Sequence, residues 1–395
     1  MQYASILDRL SGLGGAKWEI HRRARQMKSE GRAVIELTIG EPDVPCPESL
    51  MQRAASAMFD GRIGYSNGQG EPGLTRALAH RYSTRRGRHF GPENILCFPG
   101  TQTTLYAVLT GLCEAGTEVL VGDPMYATYE GLIRASGARP VPVPLRPERG
   151  FRLDPADLAA AVTPQSRVIL LNTPHNPTGA VLSRADIAAI GEIARAHDLW
   201  IVSDEVYEDL VFPGVSFTSP LDLPDLADRS VACASISKSH AAPGFRSGWC
   251  VGSAEFCARL LPLSETMLFG NQPFIADMTA QAVSAPSEVA PGMVARFSAR
   301  ASLIHDRLHG NAGLRVHAPE AGMFALVDIR ETGCSGAAFA ASLLEAEGVA
   351  TMPGESFGTA LTGWLRLALS QPDALVAEGC TRIARHAATL RHRAA

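Results

Sequence analysis

Ser235-Ile236-Ser237-Lys238 closes an apolar run, and its lysine is the residue best suited to covalent chemistry. A lysine amine attacks a carbonyl carbon when it is neutral, and a site poor in water helps to keep it so. Ser235 and Ser237 offer hydroxyls to a phosphate. Arg246, which follows Pro243-Gly244, offers a planar fork that can hold the same group by two bonds. Taken alone, the segment also reads as a strand that ends in a polar turn.

Other segments carry matching chemistry. Asp204 ends the apolar run before Glu205-Val206-Tyr207; a carboxylate there can keep a pyridinium nitrogen protonated, with Tyr207 within reach of a phenolic oxygen. A surface turn is the alternative reading. Asn172-Thr173-Pro174-His175-Asn176-Pro177-Thr178-Gly179 has the proline and glycine that a tight turn needs, but the turn does not require Asn176, a donor to the same phenolic oxygen. His175 reads as a turn histidine rather than a general base. Gly100-Thr101-Gln102 opens a helix directly after a strand, where free N–H groups and the helix dipole favour a phosphate. Tyr126 offers a ring face to a flat ligand, or is an ordinary core aromatic.

Some signals are decoys. Gly68-Gln69-Gly70-Glu71-Pro72-Gly73 has a dinucleotide-like spacing, but no strand precedes it and Pro72 starts a plain helix. His305 and His309 lack the partners of a metal site, so no metal is expected. The basic run Arg85-Arg86-Gly87-Arg88-His89 reads as a solvated helix end.

These residues need a frame. From about residue 95, short apolar runs (95–98, 118–121, 167–171, 200–203, 231–235, 249–252) alternate with helical patterns (102–113, 126–135, 184–197), which predicts an α/β domain with a largely parallel sheet. Ligands of such sheets sit beyond the carboxyl ends of strands, where Asn172, Asp204 and Ser235 fall. After about residue 291 the pattern changes to a long helix (293–309), short strands (314–316, 324–329, 364–369) and further helices, a smaller α+β domain.

The 395 residues exceed one ordinary core, with 46% hydrophobic and 19% charged residues. A net charge of −4 gives no basic field for nucleic acid. The eight cysteines form no Cys-x-x-Cys pair, which points to a reducing compartment. No signal-peptide pattern and no membrane-length apolar run occur, so a cytoplasmic location is expected.

Together, Ile39-Gly40-Glu41-Pro42-Asp43, Asn176-Pro177-Thr178-Gly179, Asp204 with Tyr207, Ser235 to Lys238, Arg246 and Leu365-Arg366-Leu367-Ala368 resemble the pyridoxal-phosphate (PLP) aminotransferases of fold type I, in the aspartate aminotransferase class. The resemblance implies a large PLP-binding domain near 46–290, with a small domain made from 1–45 and 291–395. It implies that Lys238 is the Schiff-base lysine, that Asp204 pairs with the pyridine nitrogen, that Asn176 and Tyr207 meet the phenolic oxygen, and that Tyr126 stacks on the ring. Gly100, Thr101, Gln102, Ser235, Ser237 and Arg246 would hold the phosphate. Arg366 would clamp the substrate carboxylate beside Gly40 and Asn176. Tyr65 would reach the phosphate of a neighbouring subunit, so a homodimer with shared active sites is implied. An L-amino acid would give its amino group to a 2-oxo acid in a ping-pong reaction.

For the substrate, dicarboxylate specificity needs a second cation. Thr101 stands where one branch has a lysine, and no Lys or Arg occurs between Arg259 and Arg296. The segments Lys17-Trp18-Glu19-Ile20-His21 and Pro124-Met125-Tyr126-Ala127-Thr128-Tyr129-Glu130 are similar to those of arginine–pyruvate transaminases. That implies a basic or broad donor, pyruvate as acceptor, and Trp18 and Glu19 beside the substrate; a solvent-exposed Glu19 is the alternative. Rival readings are an aspartate or aromatic amino-acid:2-oxoglutarate aminotransferase, a PLP lyase, synthase or oxidase, and a non-catalytic PLP-binding regulator.

Overall fold

The computed structural model describes residues 2–13, 15–267 and 269–394. Among them, the strands in chain order are β1 (Ile35–Leu37), β2 (Ile95–Phe98), β3 (Glu118–Asp123), β4 (Arg139–Pro144), β5 (Ser166–Asn172) and β6 (Trp200–Asp204). They continue with β7 (Ser230–Ser235), β8 (Gly248–Val251), β9 (Arg315–His317), β10 (Phe324–Asp328), β11 (Val349–Pro353) and β12 (Trp364–Ala368).

The larger sheet runs β2-β8-β7-β6-β5-β3-β4. Its β7, β6, β5, β3 and β4 pair in parallel, and β8 is antiparallel to both neighbours. Alternation along β5 shows why it is buried on both faces: Ile169 and Leu171 join one apolar cluster with Ile187 and Ile190, while Val168 and Leu170 join another with Leu105 and Val108. The smaller sheet runs β1-β11-β12-β10-β9 and draws its strands from both ends of the chain.

Several expectations need adjusting. The helix expected from 126 begins at Tyr129, so Tyr126 sits in the loop before it. β4, Arg-Pro-Val-Pro-Val-Pro, was not expected as a strand; it lies at the sheet edge, where proline's missing N–H does little harm. Lys238 lies within a one-turn helix, Ile236–Ser239, capped by Ser235. The basic run is not a solvated helix end. The Arg86 side chain is only 6% exposed and pairs with Glu205, Glu208 and Asp222, while Arg85 pairs with Glu208 and Asp209. These acids lie too far along the chain for local pattern to associate them with the arginines.

Candidate active site

The expected site residues converge on a cleft of about 250 Å³ at the carboxyl ends of β5, β6 and β7. Register sets Asn172 beside Asp204, and Asp204 beside Cys233. Each strand therefore delivers its terminal side chain to the same edge.

The Lys238 amine faces the cleft and donates to the Gly40 carbonyl at 2.7 Å. Burial lowers its pKa to about 8 against the pull of the Glu41 charge, with help from the Arg366 and Arg246 charges. Asp204 is buried. Its Oδ2 accepts from the Tyr129 hydroxyl at 2.6 Å and its Oδ1 from the Val206 N–H at 3.2 Å. Burial raises its pKa to about 6, against the pull of those two bonds. Tyr207, its own acidity weakened by burial, accepts from Asn176 Nδ2 at 3.4 Å. The backbone N–H of Asn176 is held by Asn172 Oδ1 at 2.7 Å, which fixes the loop.

Arg366 is buried between the rings of Phe324 and Phe357, whose centroids lie 3.8 and 4.4 Å from its guanidinium carbon. It donates to Asn176 Oδ1 at 3.0 Å and to the Thr38 carbonyl at 2.6 Å, both neutral, and its Nε has no partner. Burial lowers its pKa to about 10. A buried guanidinium without a carboxylate is a ready anion site.

A second anion cradle lies at the opposite end. Gly100, with φ 86°, leads into the helix Thr101–Leu112. A side chain at Gly100 would put its Cβ 2.2 Å from the Arg246 guanidinium, so glycine keeps that approach open. Among the described residues Arg246 is tethered only to the Pro243 carbonyl, at 2.9 Å, and Thr101 Oγ1 is buried without a partner. The helix N-terminus, an unpaired guanidinium and an orphaned hydroxyl fit a phosphate. Gln102, Ser235 and Ser237 line the same end, and the Tyr126 ring and Trp18 line the cleft wall.

Three expected residues lie elsewhere or at the margin. Gly100 is behind the lining rather than in it. Glu19 is exposed on the first turn of the helix Glu19–Ser29, which turns it away from the cleft that Trp18 enters. Tyr65 is 96% exposed and packs on Phe269 at 6.0 Å, outside this chain's cleft. His175 behaves as a turn residue: half-buried, bonded to Thr178 Oγ1 at 2.7 Å, and lowered by desolvation to a pKa of about 4.

Sequence reasoning missed Tyr129, Thr38, Phe324 and Phe357. Tyr129 had a signal, since it follows Tyr126 at helical spacing. Thr38 contributes a backbone carbonyl, which no side-chain pattern reveals. Among the described residues no cluster of three or more metal-ligating side chains occurs, and no helix is long and apolar enough to cross a membrane.

Comparison with known proteins agrees with this geometry. The family model for aminotransferase class I and II matches residues 32–383. An arginine–pyruvate transaminase of Pseudomonas aeruginosa is 42% identical over 390 residues, covering 99% of each chain. An aspartate/prephenate aminotransferase of Cereibacter sphaeroides is 33% identical, covering 92% of this chain and 94% of that one. The aspartate aminotransferase of Thermus thermophilus, solved with maleate, superposes with a TM-score of 0.91 at 27% identity, covering 98% of this chain and 100% of that one. The chain belongs to the class I and II aminotransferases, enzymes of fold type I that use pyridoxal 5'-phosphate.

Proposed function

We propose that this aminotransferase moves the amino group of a basic or broad-range L-amino acid, arginine among them, to pyruvate. The observation that carries the reading is the charge inventory of the cleft. Among the described residues of one chain its cations are Lys238, Arg246 and Arg366, and each has a task, so none of these remains for a second substrate carboxylate. Pyruvate needs none, and neither does arginine. Glu41 on the cleft lining offers a basic side chain a counter-charge. The full-length likeness to an arginine–pyruvate transaminase supports the same choice.

When bound, the cofactor supplies a carbonyl for amine chemistry and an electron-poor ring that stabilises charge at the substrate Cα. Thr101, Gln102, Ser235, Ser237 and Arg246, with the helix end after Gly100, would hold its phosphate. Asp204 would meet the ring nitrogen, Asn176 and Tyr207 the phenolic oxygen, and the Tyr126 face the ring. Arg366 binds the α-carboxylate, oriented by Asn176 and Thr38, with Gly40 alongside. The Lys238 amine, whose pKa burial lowers to about 8, takes the Cα proton on Nζ in its neutral form and returns it. Trp18 closes one wall and excludes water.

The exposed apolar residues Phe59, Ile63, Tyr65 and Phe269 favour a homodimer in which Tyr65 reaches the partner's phosphate cradle. The division of the strands into two sheets supports domain edges near residues 46 and 290. Eight free cysteines are in keeping with the cytoplasm.

A panel of amino acids assayed against pyruvate and 2-oxoglutarate tests the proposal. Arginine or another basic donor turning over with pyruvate supports it. Turnover of aspartate with 2-oxoglutarate, and none of arginine, overturns it in favour of a dicarboxylate aminotransferase.

A further inference from the structure

We infer that Tyr129 is a positioning residue of the reaction: its hydroxyl, donated to Asp204 Oδ2, keeps that carboxylate ionised and aimed, and so governs whether the cofactor's ring nitrogen carries a proton. The inference rests on the proposed pairing of Asp204 with that nitrogen and deepens it.

The geometry is specific. Tyr129 is 1% exposed, and its hydroxyl lies 2.6 Å from Oδ2, within the range of short charge-assisted bonds. Among the described residues it is the side-chain donor on this carboxylate. Asn172, the nearest alternative at the end of β5, spends its amide on the Asp204 backbone carbonyl at 3.1 Å and its oxygen on the Asn176 N–H. The Val206 N–H serves the other oxygen, at a longer 3.2 Å. The Tyr126 ring stands edge-to-face against Tyr129, 5.5 Å between centroids and 80° between planes, so the phenol's direction is fixed by the residue proposed to stack on the cofactor.

The physical consequence follows from burial. A dry carboxylate prefers to be neutral, and the balance is already displaced toward a pKa of about 6. A neutral Asp204 offers the ring nitrogen no negative partner, and the ring then accepts charge from the substrate Cα less well. Tyr129's own ionisation is suppressed by burial and by Asp204, so it remains a donor throughout the working pH range.

The test uses holoenzyme reconstituted with pyridoxal phosphate ¹⁵N-labelled in the ring. In Tyr129→Phe, the ¹⁵N resonance should move toward the unprotonated position. The acid limb of the kcat profile should move to higher pH. Loss of one hydrogen bond to a charged group should lower kcat about 10- to 100-fold, with the donor KM within about threefold. A variant with wild-type ¹⁵N shift and wild-type acid limb overturns the inference, whatever its overall activity, because a merely structural role would lower turnover without moving either. Should Tyr129→Phe fail to fold, 3-fluorotyrosine at position 129, a stronger donor, should move the acid limb to lower pH; no movement overturns the inference. A wild-type protein without lysine-bound cofactor absorbance or amino transfer would instead sink the underlying reading.

Discussion

The Lys238 amine and the Gly40 carbonyl, 198 positions apart, are joined by a 2.7 Å hydrogen bond. The bond links the larger sheet, which delivers the lysine from β7, to the strap that leaves β1 of the smaller sheet. It gives the amine a neutral acceptor rather than a hydrogen-bonded carboxylate, so burial outweighs the nearby Glu41 charge in setting its protonation.

Burial lowers the Lys238 pKa to about 8, so the neutral amine predominates above that pH and the ammonium below it. Covalent attachment of PLP to apoprotein should accelerate as pH rises, with a midpoint near 8. An unperturbed lysine would give about 10.4. Stopped-flow absorbance from mildly acidic to strongly basic pH reads this directly. A midpoint beyond 10 would mean that the amine is solvated in the apoprotein.

Arg366→Lys should be far from conservative. A point-charge ammonium cannot hold Asn176, the Thr38 carbonyl and a carboxylate at once, nor lie flat between Phe324 and Phe357. Losing a hydrogen bond to a charged group costs about 1.5–3 kcal/mol, so the KM of the amino donor should rise about 10- to 100-fold. Steady-state kinetics measure it, and an unchanged KM would remove Arg366 from the carboxylate site.

Phe59 is 93% exposed, and with Ile63, Tyr65 and Phe269 it adds to an apolar surface that a lone chain has no reason to keep bare. Phe59→Asp should convert the proposed homodimer into monomers in sedimentation velocity and abolish turnover in parallel. A wild-type protein that sediments as an active monomer would rule out the shared site.

Much of the site was legible because its chemistry lies at predictable places. Asn172, Asp204 and Ser235 end apolar runs, and parallel pairing gathers such ends at one edge. What stayed hidden depends on long-range packing. The prolines of β4 mask a strand that edge position permits. Glu19 neighbours Trp18 in sequence yet leaves the cleft, because a helix begins between them. Arg85 and Arg86 read as a solvated helix end, but Glu205, Glu208 and Asp209 fold against them.

That buried network also makes a prediction. Arg86→Met leaves Glu208, and Glu205 once it ionises above pH 8, short of a counter-charge, and breaking such a buried pair typically destabilises by about 3–5 kcal/mol. Burial holds Glu205 at a pKa of about 8, above its unfolded value, so its contribution favours folding at low pH and is lost as pH rises through 8. Without Arg86 the folded-state pKa rises further, and the deficit should widen above pH 8. Urea unfolding of the PLP-saturated protein at several pH values checks both the size and the slope. A deficit that shrinks with rising pH would contradict the assignment.

Lastly, the rings of Phe324 and Phe357 both pack on the Arg366 guanidinium, 3.8 and 4.4 Å from its carbon, and crowd the approach to its charge. Such crowding sorts anions by shape: a flat, two-oxygen group can lie in the plane of the guanidinium, whereas a tetrahedral phosphonate or sulfonate presents oxygens out of that plane, toward the space that Phe324 and Phe357 crowd. The cleft thus has a planar berth at one end and a tetrahedral one at the other, and that asymmetry sets the direction in which any molecule carrying both kinds of anion must lie.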